Sequence, residues 1–121
     1  TLHLSSAASD VYKRQTLNVA LKKGKPSHVS VSGVAASALG AKSIGNICFN
    51  LSKENQIESL VISDDEIETA RRLLWESHRI FVEPAGAAAL AAIISGKYKP
   101  KTDEKLAVLI CGANPNIIPE F

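Results

Sequence analysis

The sequence predicts an α/β protein layered on a parallel sheet, and a sheet that this chain alone does not complete. Three observations carry the prediction. Leu106–Ile110 is an unbroken apolar run with the length and composition of a strand buried on both faces. Ile57–Ile62 reads as another strand, and helical patterns stand between the two. Strands that alternate with helices pair in parallel beneath covering helices. Two or three strands do not make a stable doubly covered sheet by themselves, so the chain reads as a fragment.

Composition narrows the class. At 121 residues the chain is at most one domain, and its 45% apolar and 21% charged residues are ordinary for a globular protein. A net charge of +2 makes no case for nucleic acid. The lysines of Lys97–Lys105 are interrupted by Pro100, Asp103 and Glu104 and read as a solvated loop. Cys48 and Cys111, both in apolar sequence surroundings, form no disulfide framework, so a reducing cytosol is expected. Ala85–Ile94, the longest weakly polar run, is too short to cross a bilayer, and the start of the chain does not resemble a secretion signal. The expectation is a soluble cytoplasmic protein with no membrane partner.

Taken in order, Thr1–Gln15 has no sustained period and does not run on smoothly into the helical pattern after it. It reads either as sequence foreign to the fold, resembling translated adaptor or vector, or as a frayed native terminus. Thr16–Lys23 is a short helix with Leu17, Ala20 and Leu21 on one face and Gly24 at the C-terminal cap. Val34–Leu39 is small and apolar between Gly33 and Gly40, and Lys42–Leu51 fits helix or strand.

Ser63-Asp64-Asp65-Glu66 is the clearest local signal, a capping box that opens a helix running to about Glu76 or Ser77. That helix is expected to bury Ile67, Ala70, Leu73 and Leu74 and to pair Glu68 with Arg72. The acidic cluster is thus a helix start rather than a metal site. Arg79–Val82 is a brief extended piece, and Pro84 fits the first turn of a buried, alanine-rich helix reaching Ser95, with Gly96 ending it.

The common catalytic motifs are missing: no P-loop, no G-x-G-x-x-G, no H-E-x-x-H and no C-x-x-C. His3, His28 and His78 are unclustered, and Ser30, Ser32 and Ser37 lack a nucleophile elbow. Two features remain. Cys111 closes the Leu106–Ile110 run and is followed by Gly112. In open α/β sheets that end of a strand is where ligands sit, although a buried cysteine acting as a small hydrophobe fits the same position. Glu83 stands immediately before a buried helix. The helix dipole accounts for a carboxylate there, and so does a cofactor site.

With these residues in view, LNVALKKGKP, GVAASALGAKSIG, RIFVEPAGAAALAAIISGK and LAVLICGAN together resemble the C-terminal part of the serine dehydratases. These belong to the tryptophan-synthase-β-like (fold type II) pyridoxal-phosphate enzymes. The likeness runs from about Leu17 to Asn114, with VEPAGAAALAA and LICGAN the most specific pieces. It implies an incomplete three-layer parallel-sheet domain of that fold and, for residues 16–121, the C-terminal part of a catalytic domain.

The resemblance implies a role for each feature. Cys111 matches the residue that hydrogen-bonds the pyridine nitrogen of pyridoxal phosphate. A thiol does not hold that nitrogen protonated as a carboxylate would, which suits β-elimination better than a long-lived carbanion. Gly112 matches a glycine permitting close approach, though Ala113 replaces a frequent second glycine. Glu83 matches a family glutamate on the pyridine side. Leu39 and Ala41, flanking Gly40, match backbone carbonyls that hold a monovalent cation.

Other family features are missing. The family's cofactor-bonding lysine, in a serine-phenylalanine-lysine motif, has no counterpart here, and neither has its glycine-rich phosphate loop. Asp10–Gln15 replaces the acidic residue and glycine-alanine that usually precede LNVAL. The implied parent is an L-serine or L-threonine ammonia-lyase acting on a small amino acid, a homodimer at full length, with this chain inactive alone. A threonine deaminase or serine racemase relative, or a catalytically silent α/β binding module, stays open beside it.

Overall fold

The computed structural model describes residues 8–11, 16–36 and 38–112. Its elements are β1 (Ala8–Val11), α1 (Thr16–Lys23), α2 (Asn46–Glu54), β2 (Ser59–Ile62), α3 (Asp64–His78) and α4 (Pro84–Ile94). β1 and β2 are parallel neighbours in register from Ala8 opposite Ser59 to Val11 opposite Ile62. The class is α/β, as the alternation of strands and helices predicts. β1 falls inside the stretch that the sequence sets apart; the rest of residues 1–15, and the turn at Ala113–Asn116, lie outside the described residues.

The strand expected at Leu106–Ile110 is not one of these elements. A strand covered on both faces needs a ladder partner, and among the described residues the run has none. Leu106 is 41% exposed and Leu109 77%, while Ile110 packs against the core.

That core forms where α3 and α4 meet each other and the sheet. Ile62 ends β2 inside it, Ile67, Ala70 and Leu74 line one face of α3, and Ala87, Ala88, Ala91 and Ala92 supply the face of α4. Spacings of three and four put each set on one side of its helix. Alanines let the two helices approach closely, and Ile62 and Ile67, fully enclosed, contribute about 1.5–3 kcal/mol each. Leu73, expected in this face, is 42% exposed because it falls one position off the Ile67–Ala70–Leu74 stripe.

The helix ends follow local chemistry. Ser63 caps α3 as expected: its hydroxyl accepts from the Glu66 amide at 3.3 Å, and Glu66 Oε2 accepts from the Ser63 amide at 2.7 Å. α1 closes at Gly24, where φ is +71° and the Lys25 amide donates back to the Ala20 carbonyl. The undecided Lys42–Leu51 resolves into α2, which begins only after Gly45 and buries Phe49 but leaves Ile47 and Leu51 outside.

Candidate functional site

The site is set up by the turn between α3 and α4. α3 ends with Arg79 in the left-handed region, φ 56°, as the Ile80 amide donates to the Leu74 carbonyl. The chain then runs through buried Val82 to Glu83. Arg71 fixes this run: its Nε donates to the Val82 carbonyl at 3.1 Å, and its Nη1 donates to both carboxylate oxygens of Glu68 at 2.8 Å. Glu68 therefore pairs with Arg71, one residue earlier than the expected Arg72. Arg71 reaches it because the same side chain is already held toward the turn by Val82.

Glu83 is the N-cap of α4 in extended backbone, with Pro84 at the first helical position. Its carboxylate makes no cap hydrogen bond and is half-buried, so capping does not occupy it. Three residues on, the Gly86 amide donates to the Glu83 carbonyl at 2.9 Å.

Over this first turn lies the end of the apolar run. A Cβ at Gly86 would stand 2.5 Å from the Cys111 carbonyl oxygen, 3.3 Å from its carbon and 3.5 Å from the Gly112 oxygen. A real Cβ does not come within 2.5 Å of a backbone oxygen, so the contact exists because residue 86 has no side chain. Cys111 and Gly112 thus lie against the first turn of α4, the turn that Glu83 heads.

Cys111 is exposed, as is Cys48, so of the two readings open for Cys111 the enclosed small hydrophobe is the one this structure does not show. Gly86 is the glycine that lets these two stretches of backbone meet, while a Cβ at Gly112 would meet nothing within 4 Å among the described residues. Sequence reasoning missed Gly86, although a glycine interrupting an alanine helix was a usable signal.

Leu39 and Ala41 lie apart in sequence on an exposed loop flanking Gly40. The loop is closed at its base by the Val29 amide donating to the Lys42 carbonyl at 2.9 Å. It is fastened to α3 by the Val34 amide donating to Asp64 Oδ1 at 3.3 Å. Ala35 is buried in the core just before it. Among the described residues, no three His, Cys, Asp or Glu side chains gather as a metal group. No described helix is long and apolar enough to cross a membrane.

The sequence pattern of the family described as pyridoxal-phosphate dependent enzyme matches residues 6–112. The chain belongs to that family. Among curated proteins, the serine racemase of Dictyostelium discoideum is 32% identical over 114 residues, which are 91% of this chain and 33% of the relative. The L-serine dehydratase/L-threonine deaminase of Rattus norvegicus is 33% identical over 115 residues, 88% of this chain and 32% of the relative. Among solved structures, a threonine deaminase from T.th. superposes with a TM-score of 0.79 at 25% identity, covering 92% of this chain and 37% of that one. The Dictyostelium discoideum serine racemase structure gives 0.70 at 29% identity, covering 85% and 33%.

This member of the pyridoxal-phosphate dependent enzymes therefore spans about a third of the length of the curated relatives it matches. The neighbours establish the fold as that of the fold type II enzymes. The family's cofactor is pyridoxal phosphate. Of the candidate residues, Cys111 is exposed, and the Glu83 carboxylate at the head of α4 is not used in helix capping.

Proposed function

We propose that residues 16–121 are the C-terminal part of a pyridoxal-phosphate-dependent L-serine/L-threonine ammonia-lyase, in which a hydroxy amino acid loses water and the released enamine takes up water again, giving a 2-oxo acid and ammonia. The observation that carries the reading is the laying of Cys111–Gly112 against Gly86 in the first turn of α4, the helix that Glu83 caps. In this reading the Cys111 thiol hydrogen-bonds the pyridine nitrogen, Gly112 leaves room at the ring edge, and Glu83 borders the pyridine side. The cofactor, when bound, supplies the electron sink for loss of the α-proton and the β-hydroxyl. A thiol leaves the ring nitrogen unprotonated, favouring prompt loss of the hydroxyl over exchange at the α-carbon. The Leu39 and Ala41 carbonyls hold a monovalent cation that stiffens their loop.

The lysine that moves the α-proton is not among these residues, so the 121-residue chain has no activity alone. The full-length enzyme is a cytosolic homodimer acting on a small amino acid. Cofactor titration of the full-length Cys111→Ala protein tests the reading: a shifted cofactor absorbance and a loss of pyruvate formation from serine are expected. An unchanged spectrum and rate would favour a silent binding module. Pyruvate formation by the purified 121-residue chain would sink the fragment reading. The serine racemase similarity supports a second reading, racemisation, which D-serine production at a rate exceeding pyruvate production would establish.

A further inference from the structure

We propose that Gly86 is a positioning residue, whose missing side chain sets where Cys111 is presented; its bearing on the cofactor rests on the functional reading above. Gly86 is buried inside a helix, and its φ is not positive, so backbone freedom does not explain it. Even in a first turn alanine is the better helix former, by up to about 1 kcal/mol of propensity. What excludes alanine is the Cys111 carbonyl oxygen, 2.5 Å from where the methyl would be, with the Cys111 carbon and Gly112 oxygen behind it. All three are backbone atoms, which cannot swing aside as a flexible side-chain tip can.

The segment is pinned from its other end too. Ile110 packs against the α3–α4 core, so a methyl at residue 86 cannot be accommodated by a small slide of residue 111 alone. The displacement must pass to the thiol, one side chain away. Gly86 thus acts on Cys111 by contact, without touching a substrate or cofactor itself.

The test uses the whole chain with Cys48→Ser, so that Cys111 is the one thiol. Were residue 86 free of contact, Gly86→Ala would raise the melting temperature, as Gly→Ala does in an unobstructed helix. The expected result is a lower melting temperature and a change of about threefold or more in the rate of Cys111 alkylation by iodoacetamide. In an Ile110→Ala background, where the segment is released, the same substitution should stabilise instead, the sign reversal of coupled neighbours. A melting temperature at or above the parent's, or an unchanged alkylation rate, overturns the proposal. Should Gly86→Ala alone fail to fold, the Gly86→Ala/Ile110→Ala pair decides: recovered helical circular dichroism supports the contact, and continued unfolding overturns it.

None of these readouts involves the cofactor. The absorbance of pyridoxal phosphate in the full-length Gly86→Ala protein then addresses the functional reading separately. A displaced thiol with no spectral response leaves Gly86 its role and removes the cofactor from Cys111.

Discussion

The Lys97 ammonium, just beyond the end of α4, donates to Glu66 Oε2 at 2.6 Å at the beginning of α3. It also donates to the Val61 carbonyl at 2.8 Å. Glu66 Oε2 takes two further bonds, from the Ser63 amide and, at 2.9 Å, from the Ser63 hydroxyl. One carboxylate thus joins the end of β2, the start of α3 and the exit from α4.

Acid should release this junction. Burial raises the Glu66 pKa, but hydrogen bonds from Lys97 and Ser63 and the Lys97 charge outweigh it, so the net shift is downward. A carboxyl lowered in the folded state binds its proton more readily when unfolded. Its contribution is therefore present above the ordinary carboxylate range and fades as pH falls through the lowered folded value. At pH 7, Glu66→Gln is expected to cost about 1 kcal/mol, the size of a capping contribution with the ion pair discounted for screening. Urea melts of both proteins between about pH 7 and pH 2 should converge on acidification; a gap that stays constant would put the effect outside the charge.

Gly33 should resist substitution chiefly through its backbone, whose φ of +110° is a region that residues with a Cβ rarely adopt; the Asp64 Oδ1 atom 2.8 Å from a Cβ there ends a flexible side chain and can swing aside, giving up its bond to the Val34 amide. Gly33→Ala is expected to cost about 1–3 kcal/mol. The double variant with Asp64→Ala should recover only the part due to the collision, since the backbone strain remains. Full recovery, measured as the unfolding midpoint of the pair, would remove the strain component.

Much of this fold is local, and local features are legible in sequence. The Ser63–Glu66 box, the glycine ending α1 and the proline opening α4 each act within a turn or so of helix, and each stands where its chemistry predicts. The interactions that escape are those settled by a third party. Glu68 turns to Arg71 because Val82, from the next segment, already holds that guanidinium. Gly86 reads as a mere interruption of an alanine helix until residue 111, far along the chain, comes to lie against it. Cys111, Gly112 and Glu83 could be nominated by position and family likeness, but the meeting of Cys111 and Gly112 with the first turn of α4 belongs to the folded chain.

Leu106–Ile110 gives the most direct measure of what the proposed full-length enzyme would place around this chain. Its composition demands cover on both faces, yet Leu109 is 77% exposed here and only Ile110 reaches the described core. An apolar side chain that open contributes little to the chain carrying it, so Leu109→Ser should move the stability of the 121-residue protein by no more than about 0.5 kcal/mol. In the full-length enzyme the same run is expected to sit within a completed parallel sheet. There the substitution removes a buried leucine and leaves a hydroxyl without a partner, which should cost about 2–5 kcal/mol. Parallel denaturant melts of the two proteins check this, and a cost below about 1 kcal/mol in both would mean that no sheet forms around residue 109.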